Sequence, residues 1–297
     1  MDNQVELVAT GLKFPEGPAY DGGGAIYCSN CDADYITKVD ADGQISVSHR
    51  AAAEGYNRFT FRKTNGMTFF RDGSLFACDF GRNSIIRIHP DGTQTSYVDH
   101  YAGRPLEAPN DLAFDPQGNL YFTAPGGSGR DNSTGPIYRV DNADHQITRV
   151  AEGMAFPNGL AFTSDARRLY VCESQFDRIL RFSVADDGSL HDVEVFADLL
   201  ADGSGEPDGM AVDSAGRLWI AHYGRHTVLI VNTEGKIERT IKLPVDASTA
   251  SGGPTNVVFA GKDLRAVYIT DPGNGALYRT VSDVPGLPLF CAPDNVG

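Results

Sequence analysis

Phe156-Pro157-Asn158-Gly159-Leu160-Ala161-Phe162 recurs in altered form along the whole chain. The other versions are Phe14-Pro15-Glu16-Gly17-Pro18-Ala19-Tyr20, Thr64-Asn65-Gly66-Met67-Thr68-Phe69, Pro109-Asn110-Asp111-Leu112-Ala113-Phe114, Pro207-Asp208-Gly209-Met210-Ala211-Val212 and Pro254-Thr255-Asn256-Val257-Val258-Phe259. The polar residues Glu16, Asn65, Asn110, Asn158, Asp208 and Asn256 follow one another at intervals of 45 to 50 residues. A near-constant period of this size means one supersecondary unit copied, here six times.

Each copy reads alike. An apolar run such as Gly66-Met67-Thr68-Phe69-Phe70 is followed by the turn Arg71-Asp72-Gly73 and a second run, Ser74-Leu75-Phe76-Ala77-Cys78. A third run (Ser84–Ile88), the turn His89-Pro90-Asp91-Gly92 and a fourth run (Thr93–Val98) complete it. Short runs cut by Asp-Gly turns are hairpin signals. No run holds a helical period, so any helix is expected to be short. Four antiparallel strands per copy, six times over, predict an all-β six-bladed β-propeller occupying residues 1–297 as one domain, with 284–297 as a C-terminal tail. The last copy lacks a fourth strand. Val5–Leu12 parallels Ile147–Met154, a fourth strand leading into the next copy, so residues near 4–9 are expected to close the last blade. Longer interruptions fall between Ala51 and Lys63, His100 and Ala108, and Pro125 and Gly135, the last read as a loop.

The formal net charge of −14 argues against nucleic acid or an anionic membrane as partner, because both need a basic footprint. No stretch approaches the apolar length of a membrane span, and Met1–Glu6 lacks the features of an export signal, so the chain reads as cytoplasmic. Cys28, Cys78 and Cys172 share one phase of the repeat with Thr123, Ala221 and Thr270, which marks a small-residue packing slot and reduced thiols. Cys28 and Cys31 have a metal-like spacing without a second ligand pair.

In a propeller the first strand of each blade is innermost, so Glu16, Asn65, Asn110, Asn158, Asp208 and Asn256 are expected to ring the channel at one end. Asn and Asp before Gly are ordinary turn chemistry. Glu16 has no such turn preference, and two carboxylates converging on one channel repel and lose hydration. A divalent cation resolves that conflict. Glu16 and Asp208 supply anionic oxygens and Asn158 an amide oxygen, a set suited to one hard ion, Ca²⁺ first, with Mg²⁺, Mn²⁺ or Zn²⁺ as alternatives. His222 follows the second strand of the Asp208 blade and reads more readily as a packed residue than as a functional one. No serine elbow, zincin motif or phosphate loop is present.

The copies around Glu16, Asn110, Asn158 and Asp208 resemble the gluconolactonase, senescence marker protein (regucalcin) and luciferin-regenerating enzyme family, in family order from about residue 4 to 280. The resemblance implies a six-bladed propeller with one catalytic divalent ion. It implies Glu16, Asn158 and Asp208 as metal ligands, Asp208 also as general base, and Asn110 as a substrate contact. Ala108 stands where animal sugar lactonases of the family carry a substrate-gripping Arg, and Ala124 where many bacterial members have Asp. The expected reaction is hydrolysis of a small-molecule sugar-acid lactone, with Arg82, Arg104 and His222 as candidates for binding sugar hydroxyls or a carboxylate. The alternatives are a metal-dependent phosphotriester or ester hydrolase on the same scaffold, and a non-catalytic calcium-binding propeller.

Overall fold

The computed structural model describes residues 4–50, 62–245, 252–290 and 292. Six four-stranded antiparallel sheets dominate them. Blade 1 comprises Pro15–Tyr20, Ile26–Asn30, Tyr35–Val39 and Ile45–Arg50, and blade 2 comprises Thr64–Phe69, Leu75–Asp79, Ser84–Ile88 and Gln94–Val98. Blade 3 holds Leu112–Phe114, Leu120–Thr123, Gly135–Val140 and Ile147–Met154; blade 4 holds Pro157–Phe162, Arg168–Glu173, Arg178–Val184 and Leu190–Asp198. Blade 5 holds Glu206–Val212, Leu218–Tyr223, Thr227–Val231 and Ile237–Lys242. Blade 6 takes Asn256–Ala260, Ala266–Asp271 and Ala276–Val281 from the end of the chain and Glu6–Thr10 from its start. The innermost strands touch in cyclic order, blade 1 to blade 6 and back to blade 1, which is a six-bladed β-propeller.

The N-terminal strand closes the ring as its phase in the repeat predicts. It runs antiparallel to Ala276–Val281, with Glu6 opposite Arg279 and Thr10 opposite Ala276. Among the described residues the only helical pieces are the single turns Ser174–Phe176 and Leu200–Asp202. The interruption between His100 and Ala108 contains a small ribbon, His100–Tyr101 paired with Arg104–Pro105. The segment between Pro125 and Gly135 is a loop in which Gly129 bridges Asn132. Most of the interruption between Ala51 and Lys63 lies outside the described residues.

Burial follows from the stacking of blades. Each second strand is covered on both faces, so it reads as a continuous apolar run rather than an alternation. Leu218, Trp219, Ile220 and Ala221 are all fully buried. The core falls into six apolar clusters, each shared by two adjacent blades. Cys28 packs between blades 6 and 1, Cys78 between 2 and 3, and Cys172 between 4 and 5. Burial raises all three thiols, Cys28 to about 12, so they behave as small apolar residues.

After blade 6 the tail crosses the far end of the channel. Asp283 accepts from Arg217 and Arg239 of blade 5 (3.1 and 3.4 Å). Ser214 N–H donates to the Pro285 carbonyl, Gly286 N–H to that of Leu264, and Leu287 N–H to that of Val212 (2.8, 2.7 and 2.9 Å). Leu287 then packs on the cluster between blades 4 and 5, and the Phe290 ring meets Phe162 edge-on at 6.3 Å. Gly286 is required by space: a Cβ there would stand 2.1 Å from Phe259 Cγ. Gly286→Val is therefore expected to cost about 1–3 kcal/mol through overpacking. Thermal unfolding followed by circular dichroism checks it, and an unchanged midpoint would mean that the tail does not seat on blade 6.

Candidate active site in the channel

The motif opens four of the six inner strands with a local defect. In blades 1, 2, 4 and 5 the pairing register shifts between Glu16 and Ala19, Thr64 and Met67, Pro157 and Leu160, and Pro207 and Met210. A bulge re-aims the side chains beside it. Phe14, Ala108 and Phe156, each just before the motif's Pro, have left-handed backbones (φ 51°, 49° and 59°), a conformation costly for residues with a Cβ. Backbone bonds hold two of them: Cys31 N–H donates to the Phe14 carbonyl and Ser174 N–H to that of Phe156. The Ala108 N–H is instead held by the Asn83 side chain at 2.9 Å.

The polar ring has two levels. Glu16, Asn65, Asn110, Asn158 and Asp208 share one phase, and Thr255 is their counterpart in blade 6: its carbonyl accepts from Gly209 N–H as that of Asn110 does from Gly66 N–H. Asn256 thus sits one residue deeper than its expected place in the ring, because blade 6 pairs from Asn256 onward without a bulge. The deeper level is mostly glycine. A Cβ on Gly66 would lie 2.3 Å from Asp111 Oδ1, and one on Gly209 would lie 2.0 Å from Asn256 Cγ. Absent side chains at these positions make room for Asp111 and Asn256, which meet across the channel (Asn256 Nδ2 to Asp111 Oδ2, 3.4 Å). Asp111 stands one position past Asn110, outside the ring that the motif spacing defines; its signal is an Asp in a slot that is Gly in blades 1, 2, 4 and 5.

Three carboxyl groups, Glu16 and Asp111 buried and Asp208 half-buried, therefore gather at this end of the channel. Burial pushes Glu16 up to about 8, and the charge of Asp111 adds to the rise while the Gly17 N–H opposes it. Burial pushes Asp111 to about 7. Asp208 is driven well above the usual carboxylate range by burial, then by Glu16 and Asp111. Below them a cavity of about 770 Å³ extends toward the tail, walled by apolar residues such as Met67, Phe114, Phe162, Met210 and Phe259, with Asp111 and Asn256 at its inner end.

Asn158 supplies the test for a cation. Its Nδ2 donates to Ser174 Oγ (3.2 Å), and that hydroxyl donates to the Pro207 carbonyl (2.6 Å). The amide is thereby oriented, and its Oδ1 is left buried without a hydrogen-bond donor. Such an orphan acceptor costs about 1–3 kcal/mol unless something positive meets it. Among the described residues no three His, Cys, Asp or Glu side chains stand at metal-binding range. An ion here would thus depend on the Asn158 oxygen as well as on Glu16 and Asp208, an all-oxygen set that fits a hard divalent cation.

The remaining candidates separate. Asn110 is half-buried, its backbone bonded to Thr123 and Gly66. His222 is fully buried in the interface of blades 4 and 5, Nε2 2.8 Å from Asp177 Oδ1, whose other oxygen accepts from Gly205 N–H. That position makes it a packing residue that anchors the blade 5 entry. Arg82 lies near Asp79 in the blade 2 turn, and Arg104 stands exposed on the small ribbon. Cys31 Sγ donates to the Thr64 carbonyl at 3.0 Å, and burial, Glu16 and Asp208 keep it a protonated thiol.

The carboxyl cluster has a signed pH signature. Groups whose folded pKa is raised stabilise the fold fully below their unfolded pKa, about 4 for carboxylates, and that stability is lost as pH rises through the folded values. Chelator-treated protein is expected to lose thermal stability between pH ~4 and ~8, the window set by Asp111 and Glu16. Added Ca²⁺ should raise the midpoint most at the alkaline end. Differential scanning calorimetry with and without Ca²⁺ checks both; a metal-free midpoint that climbs with pH would contradict the buried cluster.

Residues 14–272 match the family described as SMP-30/Gluconolactonase/LRE-like region. A pentonolactonase, XacC, of Haloferax volcanii is 31% identical over 253 residues, 78% of this chain and 81% of that one. The diisopropyl-fluorophosphatase of Loligo vulgaris is 24% identical across 96% of this chain and 94% of its own. The solved structure of a gluconolactonase from Xanthomonas campestris superposes with a TM-score of 0.79 at 26% identity, covering 95% of this chain and 90% of that one. With the channel motifs in order along a closed six-bladed ring, the chain belongs to the SMP-30/gluconolactonase/LRE-like family.

Proposed function

We propose that this protein hydrolyses a sugar-acid lactone in the polar end of its channel, with one divalent cation, Ca²⁺ first, held by Glu16, Asn158 and Asp208. The observation that carries the reading is the buried, donorless Asn158 Oδ1 beside mutually repelling carboxylates. Family membership and the lactonase relatives support lactone opening as the reaction. Bound there, the cation supplies Lewis-acid polarisation of a carbonyl.

The chain's own groups do the rest. Asp208 accepts the proton of the attacking water, a role matched to a carboxylate whose pKa burial has raised. The half-buried Asn110, at the same level as Glu16, orients the lactone ring. Ser174 accepts from Asn158 Nδ2 and so restrains the amide whose oxygen has no donor. The blade walls keep bulk water from the carboxylates, which strengthens each charge interaction made there.

Asp208→Asn keeps the shape and removes the base, and is expected to lower kcat on the best aldonolactone by ~10²–10⁴-fold. A pH-drop assay over five- and six-membered sugar lactones, after chelation and readdition of Ca²⁺, Mg²⁺, Mn²⁺ or Zn²⁺, measures this. Undiminished turnover by Asp208→Asn would defeat the assignment. The full-length likeness to a fluorophosphatase favours a second reading, P–F or phosphotriester hydrolysis at the same site; a triester in the same panel decides between them. Inertness to every substrate, with Ca²⁺ still raising the melting point, would leave a calcium-binding propeller.

A further inference from the structure

Tyr223 ends the second strand of blade 5 and lies directly across from Glu206, two residues before Asp208. Its neighbour His222 turns into the blade interface toward Asp177, so strand alternation sends Tyr223 to the other face. It is half-buried. The carboxylates of Asp208, Glu206, Glu16 and Asp271 all act on its hydroxyl and, after burial itself, help keep it protonated. Among the described residues no hydrogen bond occupies that hydroxyl. Glu206 is engaged elsewhere, accepting from Gln175 Nε2 at 2.8 Å. An uncommitted O–H across the ladder from Glu206, at the start of the strand that carries Asp208, is a donor placed where the protein otherwise offers acceptors.

Building on the lactone reading, we infer that Tyr223 is the hydrogen-bond donor to the ring oxygen of the substrate as the ring opens. Water adds to the carbonyl carbon, one C–O bond forming while Asp208 takes the proton. The ring C–O bond then breaks and its electron pair stays on the ring oxygen, toward which the Tyr223 hydroxyl is directed. The proton held by Asp208 passes to that oxygen, so lactone and water give the open hydroxy acid and the enzyme is unchanged. An alkoxide is a poor leaving group, and a donor aimed at developing charge acts in the transition state alone. Base and donor come from adjacent strands of one blade, which fixes their separation on a rigid element.

Tyr223→Phe removes only the hydroxyl. On the best aldonolactone, kcat is expected to fall ~10–10²-fold with KM little changed. On dihydrocoumarin, whose leaving group is a phenolate that needs no such help, the deficit should shrink to within ~3-fold. Both are measured by stopped-time or pH-drop assay with Ca²⁺ present, alongside the melting point, which should not move. Equal deficits on the two substrates, or no deficit on either, would overturn the role of Tyr223 while leaving a lactonase. A wild-type protein inert to both compounds would remove the lactone reading and this inference together.

Discussion

Like charges held out of water at the polar end of a closed ring are the constraint on which the rest of this molecule turns. Glu16, Asp111 and Asp208 come from three different blades, and only closure of the ring brings them face to face. Left alone they resist ionisation: burial pushes all three up, and repulsion from neighbouring carboxylates adds to the rise at Glu16 and Asp208. Six interblade clusters supply the opposing stability, with each fully buried aliphatic side chain contributing about 1.5–3 kcal/mol. The apolar walls make the polar well tolerable. The well, in turn, is where a cation or a polarised substrate gains most from low local dielectric.

The backbone meets this constraint with two devices. Bulges at the start of four inner strands turn Glu16, Asn65, Asn158 and Asp208 toward the axis. Glycines immediately after them strip the next level of side chains, so that Asp111 and Asn256 can fill it. A left-handed residue before the motif sets the entry angle in three blades. The same seven-residue motif therefore encodes a strained entry, a functional side chain and an empty slot in succession. That is why it recurs more faithfully than the strands around it.

The period of the motif carried most of the architecture. Six phased copies, Asp-Gly turns between short apolar runs and an N-terminal segment in fourth-strand phase were enough to place Glu6–Thr10 beside Ala276–Val281. What the period does not carry is register within a copy. Asn256 and Thr255 differ by one residue in chain position but by a whole level in the channel, because a strand without a bulge starts its pairing elsewhere. Asp111 hid for the same reason. His222 and Tyr223 are neighbours in sequence, yet strand alternation sends one into the interface with Asp177 and leaves the other among the carboxylates. The only signal at Arg82 and Arg104 is charge; charge does not say which way a loop points, and both lie in connections whose course the repeat does not fix.

The two ends of the channel are chemically opposite, and this follows from strand direction. Every inner strand begins with its polar motif and finishes with apolar residues such as Phe114, Phe162, Val212 and Phe259, so parallel placement of six copies sorts polar from apolar along the axis. The tail then crosses the apolar end, tied by Asp283 to Arg217 and by backbone bonds to Val212, Ser214 and Leu264. A hydrophilic lactone gains nothing from the apolar cavity beneath Asp111, and reaching the carboxylates from that side would strip its hydroxyls of water before any polar partner met them. The opposite end, where Gln175 donates to Glu206, presents polar groups first. The repeat direction thus sorts the two ends of the channel: the carboxylates gather at one, and an apolar cavity closed over by the tail occupies the other.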